Sequence, residues 1–188
     1  MDVVRVGYVG AGGWARQNHL PAIRHLAEHP EGRPILRIDA LCEQVPDLAR
    51  QVADQYGIPR VYGSVADLAQ DPDLDAFAVV VNPARLRPVV EMLAKRGLPM
   101  FSEKPPGWDV AQATMLASLV PEPNLVAFNR RFFPIVEQAR PLLATIEPLQ
   151  YVHCTMCRHE RNDSRNYREH QPAAVDLEHR VGTVDEEA

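Results

Sequence analysis

The chain has 188 residues, 46% of them apolar and 24% charged, a composition of globular rather than disordered or membrane-embedded proteins. Lys plus Arg is 20 and Asp plus Glu is 25, and the net charge of −5 argues against nucleic acid or an anionic membrane as a main partner. No apolar run approaches the roughly 20 residues of a transmembrane helix. The opening MDVVRVGYVG enters a strand pattern directly, leaving no room for a signal peptide, and three cysteines fit a reducing cytoplasm.

Val3–Val9 predicts a first strand, followed by a glycine turn at Gly10–Gly13. A helical pattern then runs to about Glu28, with a kink or break expected near Pro21. Ile35–Cys42 is a second strand. Over Pro46–Tyr56 the residues Leu48, Val52 and Tyr56 recur on one helical face, and Gly57 stops the helix. Ser64 and Asp67 form a capping box for a short helix. Phe77–Val81 is a continuous apolar run, as in a strand buried on both faces of a parallel sheet. Arg85–Arg96 reads as a helix closed by Gly97, Met100–Ser102 as a strand, and Asp109–Leu119 as a helix capped by Asp109 and Gln112. Leu125–Phe128 is a further strand, Ile135–Ile146 a helix containing Pro141, and Leu149–Cys157 one more strand.

The alternation predicts an α/β fold, a doubly wound parallel Rossmann sheet over residues 1–129. An incomplete second α/β domain is expected over 130–158. From 159 to 188 apolar residues are sparse and aperiodic, which predicts a weakly ordered tail with a short helix at 173–181.

Gly10-Ala11-Gly12-Gly13-Trp14-Ala15 fits G-x-G-x-x-[G/A] between a strand and a helix. The first glycine permits the tight turn, the second lets the backbone approach a pyrophosphate, and a small residue at the last position lets helix and strand pack closely. The helix N-terminus offers free N–H groups to phosphate. The other reading is a tight turn without a ligand. Glu43 ends the second strand, where dinucleotide enzymes place an acid on the adenosine ribose, although a solvated loop acid has the same appearance. Gln44 and Val45 supply no cation for a 2′-phosphate, so NAD is expected over NADP. Asn82-Pro83 is either a cofactor contact or a polar strand stop that starts a helix. Trp14 packs on a cofactor or covers the sheet edge, and the sequence does not separate these.

In chain order, the glycine turn, Glu43, Ser102-Glu103-Lys104-Pro105 and Phe128-Asn129-Arg130-Arg131-Phe132 together resemble the glucose–fructose oxidoreductase/inositol dehydrogenase (Gfo/Idh/MocA) family. The resemblance covers residues 1 to about 133 and extends to about 161. It implies an NAD(P)-dependent oxidoreductase that moves a hydride between the cofactor and a sugar- or cyclitol-like hydroxyl or carbonyl. By the same resemblance Lys104 would bond the reacting oxygen and share in proton transfer. Glu103 and Pro105 would shape the nicotinamide pocket, and Asn129 and Arg130 would border it. Independently of the family, a cation at hydrogen-bond distance in a dry cleft stabilises charge developing on oxygen, and Pro105 and Pro106 restrict the backbone that presents Lys104. The bland alternative is a lysine capping a strand end before a proline turn.

The chain departs from the family in its second half. The family's later helix carries an Asp and a His, whereas here Asp176-Leu177-Glu178-His179 is one residue too short and lacks the glycine, and His170 is no better placed. This predicts either a truncated enzyme or a non-catalytic dinucleotide-binding module lacking its substrate domain. The expected partners are a small sugar-like substrate and a second copy of the chain, with no nucleic acid and no membrane. Cys154 and Cys157 lie on a predicted strand, point to opposite faces and lack a second ligand pair, so no metal site is expected.

Overall fold

The computed structural model describes residues 3–28, 36–146, 151 and 153. Six strands form one sheet in the order β3-β2-β1-β4-β5-β6. They are β1 (Val4–Val9), β2 (Leu36–Cys42), β3 (Arg60–Tyr62), β4 (Ala76–Val79), β5 (Met100–Ser102) and β6 (Asn124–Val126). Every neighbouring pair is parallel, as the predicted Rossmann sheet requires. The helices are α1 (Leu20–Glu28), α2 (Pro46–Tyr56), α3 (Val65–Gln70), α4 (Pro83–Ala94), α5 (Val110–Leu119) and α6 (Pro134–Leu143). Two compact units divide the chain, Met1–Ala139 and Arg140–Ala188. In the second, the rings of Tyr151 and His153 stack with centroids 6.5 Å apart.

Local chemistry sets most element ends. The Ser64 hydroxyl accepts the Asp67 N–H at 3.1 Å and donates to the Asp67 carboxylate at 2.7 Å. Asp109 accepts the Gln112 N–H at 2.7 Å, while the Gln112 amide oxygen reaches back to the Trp108 N–H at 2.6 Å. Helix α4 begins two residues earlier than the sequence pattern suggests. Asn82 caps it by accepting the Ala84 N–H at 2.9 Å, and Pro83 fills the first helical position, where its missing N–H costs nothing.

Three features differ from expectation. Strand β3 was not anticipated: three residues carry no readable period, and the strand exists because Arg60, Val61 and Tyr62 pair with Ala40, Leu41 and Cys42. The disturbance expected near Pro21 is a short π-helix, Ala15–His19, rather than a break, with the Leu20 N–H donating to the Ala15 carbonyl. Pro21 lacks an N–H and its ring crowds the carbonyl four residues back, so the helix widens just before it. Strand β6 ends before Phe128, because the chain turns into a 3-10 helix over Asn129–Phe132. The predicted strand Leu149–Cys157 (apart from Tyr151 and His153), the cysteine pair, His170, the 173–181 helix and the Asp176/His179 pattern lie outside the described residues.

Helices cover both sheet faces. Leu68, Leu86, Val90, Leu93 and Leu116 pack on one side against Val9, Cys42, Phe77, Val79 and Met100. Ala15, Leu20, Val52 and Ala53 pack on the other against Val6, Tyr8, Ile38, Leu41, Ala78 and Val80. Strand residues two apart normally share a face, yet Ile38 and Ala40 belong to opposite clusters. A bulge explains this: Val6 pairs with Ile38 and Gly7 with Ala40, leaving Asp39 as an extra residue. Asp39 is buried and held by the Arg37 guanidinium, with Arg37 Nη2 at 2.9 Å, which keeps its carboxyl below the usual range.

A second ion pair ties the start of β1 to the residue before β4. Arg5 donates from its backbone N–H (2.8 Å), Nε (2.9 Å) and Nη2 (3.0 Å) to the Asp75 carboxylate. These bonds favour the charged form and lower the Asp75 carboxyl from 3.8 to about 2. Because the folded value lies below the unfolded one, the stabilisation is complete above the unfolded value and is lost as pH falls toward 2. The urea midpoint of Asp75→Asn is therefore expected to change less between pH 4 and pH 2 than that of the wild type (roughly the window between the two carboxyl states). Parallel decline of both proteins would refute the assignment.

Candidate active site

In a parallel sheet all strands end at the same edge, and the strand order reverses between β1 and β4, where open α/β sheets form their ligand crevice. Gly10 leaves β1 at this point with φ +98°, in the region open chiefly to glycine. A Cβ on Gly10 would stand 2.2 Å from the Val80 carbonyl oxygen, so the turn and the end of β4 touch through backbone alone. Around Gly12 nothing lies within 4 Å of an added Cβ, and Gly12 and Gly13 are exposed. Ala15 is fully buried, so the small last residue of the motif packs the helix onto the sheet.

Two carboxylates hold this turn. Glu43, the first residue after β2, accepts the Ala11 N–H on Oε2 at 2.9 Å and the Val45 N–H on Oε1 at 3.1 Å. Glu103, the first residue after β5, is only 9% exposed. Its Oε1 accepts the Trp14 Nε1–H at 2.8 Å and lies 2.8 Å from His19 Nε2, and its Oε2 accepts the Lys104 backbone N–H at 3.0 Å. The indole of Trp14 thus bridges the glycine turn to the Glu103-Lys104 segment. Lys104 itself is exposed, with Nζ 5.7 Å above the Trp14 ring. The Lys104–Pro105 peptide is cis.

The structure brings Gly10, Ala11 and Glu43 together, and separately Trp14, Glu103 and Lys104. Asn129 and Arg130 are exposed in the 3-10 helix and reach the same edge through register, since Ser102 pairs with Val126 and the Ala127 N–H donates to the Ser102 carbonyl at 2.8 Å. The side chain of Asn82 is engaged as the cap of α4, which accounts for a polar residue there, and Pro83 is half-buried behind it.

Sequence reasoning missed two residues. His19 meets Glu103 across 84 positions and packs edge-on against Phe101 (5.6 Å) and Tyr8 (6.5 Å). A histidine within the motif helix was the one local hint. Arg85 Nη1 donates to Gln44 Oε1 at 2.7 Å, which puts a guanidinium beside the loop after β2, where the sequence offers no cation. Burial, with the Glu103 charge second, raises the Tyr8 hydroxyl well above its ordinary value, and burial pushes the Cys42 thiol up to about 11. Among the described residues there is no group of three or more His, Cys, Asp or Glu able to hold a metal, and no helix long and apolar enough to cross a membrane.

Residues 4–130 match the family described as Gfo/Idh/MocA, oxidoreductase family with NAD-binding Rossmann fold. A trans-1,2-dihydrobenzene-1,2-diol dehydrogenase of Xenopus tropicalis is 33% identical over 129 residues, 66% of this chain and 36% of that protein. A D-xylose 1-dehydrogenase (NADP(+)) of Haloferax volcanii is 29% identical over 74% of this chain and 41% of its own length. Among solved structures, an oxidoreductase of Thermotoga maritima superposes with a TM-score of 0.67 at 28% identity, over 77% of this chain and 44% of the other. The chain thus spans roughly a third to a half of the length of the proteins it matches (36% to 44% for these three). A parallel sheet whose glycine turn opens at the strand-order switch, matched to one family over two thirds of the chain, makes this protein a member of the Gfo/Idh/MocA oxidoreductases.

Proposed function

We propose that the chain is the cofactor-binding, lysine-bearing part of an NAD(P)-dependent oxidoreductase acting on a hydroxyl or carbonyl of a sugar-, cyclitol- or diol-like molecule. The observation that carries this reading is the bridge from Trp14 in the glycine turn to Glu103 beside Lys104. The related dehydrogenases named for a dihydrodiol and for xylose support the substrate class. Residues 1–129 would form the cofactor domain and 130–158 the start of a substrate domain, in the cytoplasm, with a second copy of the chain as the expected partner.

The residues fit a dinucleotide. The open space at Gly12, flanked by the exposed Gly13, is a cradle that a side chain would fill, and it lies at the start of a helix, whose first N–H groups have no intrahelical partner. Glu43 would hold the adenosine ribose. Each carboxylate oxygen has two acceptor sites, so Glu43 can keep the Ala11 N–H while accepting ribose hydroxyls. Asn82-Pro83 would border the cofactor on the β4 side, and Asn129 and Arg130 its nicotinamide end. When bound, the nicotinamide supplies hydride exchange with a carbinol carbon.

Lys104 would donate a hydrogen bond from Nζ to the reacting oxygen and help move its proton. A single ammonium has three donors, so it can stay over the Trp14 face while bonding that oxygen. Glu43 favours NAD because a carboxylate repels a 2′-phosphate. Arg85, held on Gln44, puts a guanidinium beside that loop and would moderate the preference.

Four measurements test this. NADH is expected to quench tryptophan emission by energy transfer, and absence of binding would remove the proposal. Gly12→Ala is expected to leave stability within about 0.5 kcal/mol but weaken NADH binding about tenfold, whereas Gly10→Ala is expected to cost more than about 2 kcal/mol through its strained φ and the Val80 contact. Lys104→Ala is expected to keep NADH affinity and lower polyol oxidation by about 100-fold or more. A chain that binds NADH and oxidises no polyol or diol is instead the non-catalytic module. Arg85→Ala is expected to weaken NADPH binding severalfold with NADH unchanged; equal loss of both would refute the role of Arg85.

A further inference from the structure

We infer that His19 is a positioning residue for Lys104, acting with Trp14 by filling both acceptor sites of Glu103 Oε1 so that this oxygen does not capture the neighbouring ammonium. The inference rests on the reading of Lys104 given above. Its starting point is a conflict: Glu103 and Lys104 are adjacent in sequence, opposite in charge, and emerge together from the end of β5. A buried carboxylate needs donors, and the side chain next to it in sequence carries a mobile one, the Lys104 ammonium. An ammonium paired there would be turned toward the carboxylate, with its charge partly neutralised and fewer donors left for a ligand oxygen.

The geometry closes Oε1 to that competition. Both side-chain donors, Trp14 Nε1 and His19 Nε2, converge on Oε1 at 2.8 Å, and the Lys104 backbone N–H takes Oε2 at 3.0 Å. The partner of Glu103 among the described ion pairs is His19, not Lys104. Nζ stands instead 5.7 Å over the Trp14 ring, within the range at which an aromatic face attracts a cation. One carboxylate therefore fixes the peptide from which the lysine side chain departs and the aromatic surface on which it rests.

His19 is built to hold its place. Its side chain is 15% exposed, and its ring is boxed edge-on by Phe101 and Tyr8. It is the last residue of the π-helix, whose wider turn sets the angle at which the imidazole leaves the helix. Replacing it would leave Oε1 with one donor fewer in a site that water enters poorly, and the ammonium of Lys104 is the group within reach that can supply the missing bond.

The chain contains only two lysines, Lys95 and Lys104, which supplies an internal reference. Lys95 is exposed at the end of α4. Limited acetylation followed by peptide mass spectrometry gives the ratio of modification at Lys104 to that at Lys95. In His19→Ala the ratio is expected to fall threefold or more, because the ion-paired amine is held and less nucleophilic. His19→Gln, whose amide N–H replaces the ring N–H, is expected to restore it to within twofold of wild type. The double variant His19→Ala/Glu103→Gln removes the capturing charge and is also expected to return to the wild-type ratio. Trp14→Phe, a change at a half-exposed side chain, removes the other donor to Oε1 and is expected to lower the ratio without disturbing the buried ring. A general loosening of the fold would raise modification at Lys104, not lower it. An unchanged or raised ratio in both His19→Ala and Trp14→Phe overturns the inference, as does a double variant that stays slow. Failure of the wild type to bind NADH would overturn the proposed function instead, whatever the ratios show.

Discussion

The backbone of Gly10 passes so close to the Val80 carbonyl that an added Cβ would lie 2.2 Å from its oxygen, and this contact joins the ends of β1 and β4 where the strand order reverses. Everything proposed for the site depends on that junction. The Gly10 N–H also donates to the Cys42 carbonyl at 2.9 Å, so the same residue links β1 to β2. Only with the turn folded this tightly does the following helix start over the crevice, with Ala15 buried against the sheet and Trp14 directed outward. A side chain at Gly10 would push β4 away and, with it, the segment from which α4 and its Asn82 cap begin.

On this frame two acids act as braces from opposite sides. Glu43 comes from the β2 side and takes a backbone N–H of the turn; Glu103 comes from the β5 side and takes side-chain donors of the helix that follows. Both approach the N-terminal end of a helix, where unpaired N–H groups favour negative charge. The difference in burial gives them different duties. Glu43 is half-buried, with one donor on each oxygen and acceptor capacity to spare, whereas Glu103 is enclosed, with both acceptor sites of Oε1 taken by side chains of the protein.

Much of this architecture was legible in the sequence because it is encoded locally. The glycine turn, the caps at Ser64 and Asp109 and the buried run through Phe77–Val79 each need only a few consecutive residues to be recognised. What escaped depends on distant partners. β3 is three residues long and is a strand only by pairing with β2. The bulge at Asp39 is invisible until the register with β1 is known, because it reverses an alternation that otherwise looks regular. The same holds at the site. Lys104 stood out through its proline-flanked setting, but His19 acquires meaning only when Glu103 arrives beside it from 84 residues away. Arg85 likewise read as an ordinary first-turn helix residue until α4 brought it against Gln44.

The exposure of Lys104 is consistent with the buried state of the acid next to it. A surface lysine ordinarily has many weak interactions and no fixed direction, and an adjacent carboxylate would ordinarily claim it at a gain of at most about 1 kcal/mol. Burying that carboxylate and giving it three N–H donors weakens the competing partner without removing the charge, so the local field remains while the ammonium stands over the Trp14 ring. The aromatic face of Trp14 then offers an attraction that is weak and lacks a fixed hydrogen-bond direction. An ammonium held this way is oriented but not saturated: its N–H donors stay available to an oxygen placed above the glycine turn. Orientation without saturation is what a group needs if it is to bond an oxygen more strongly as charge develops there than it does in the ground state.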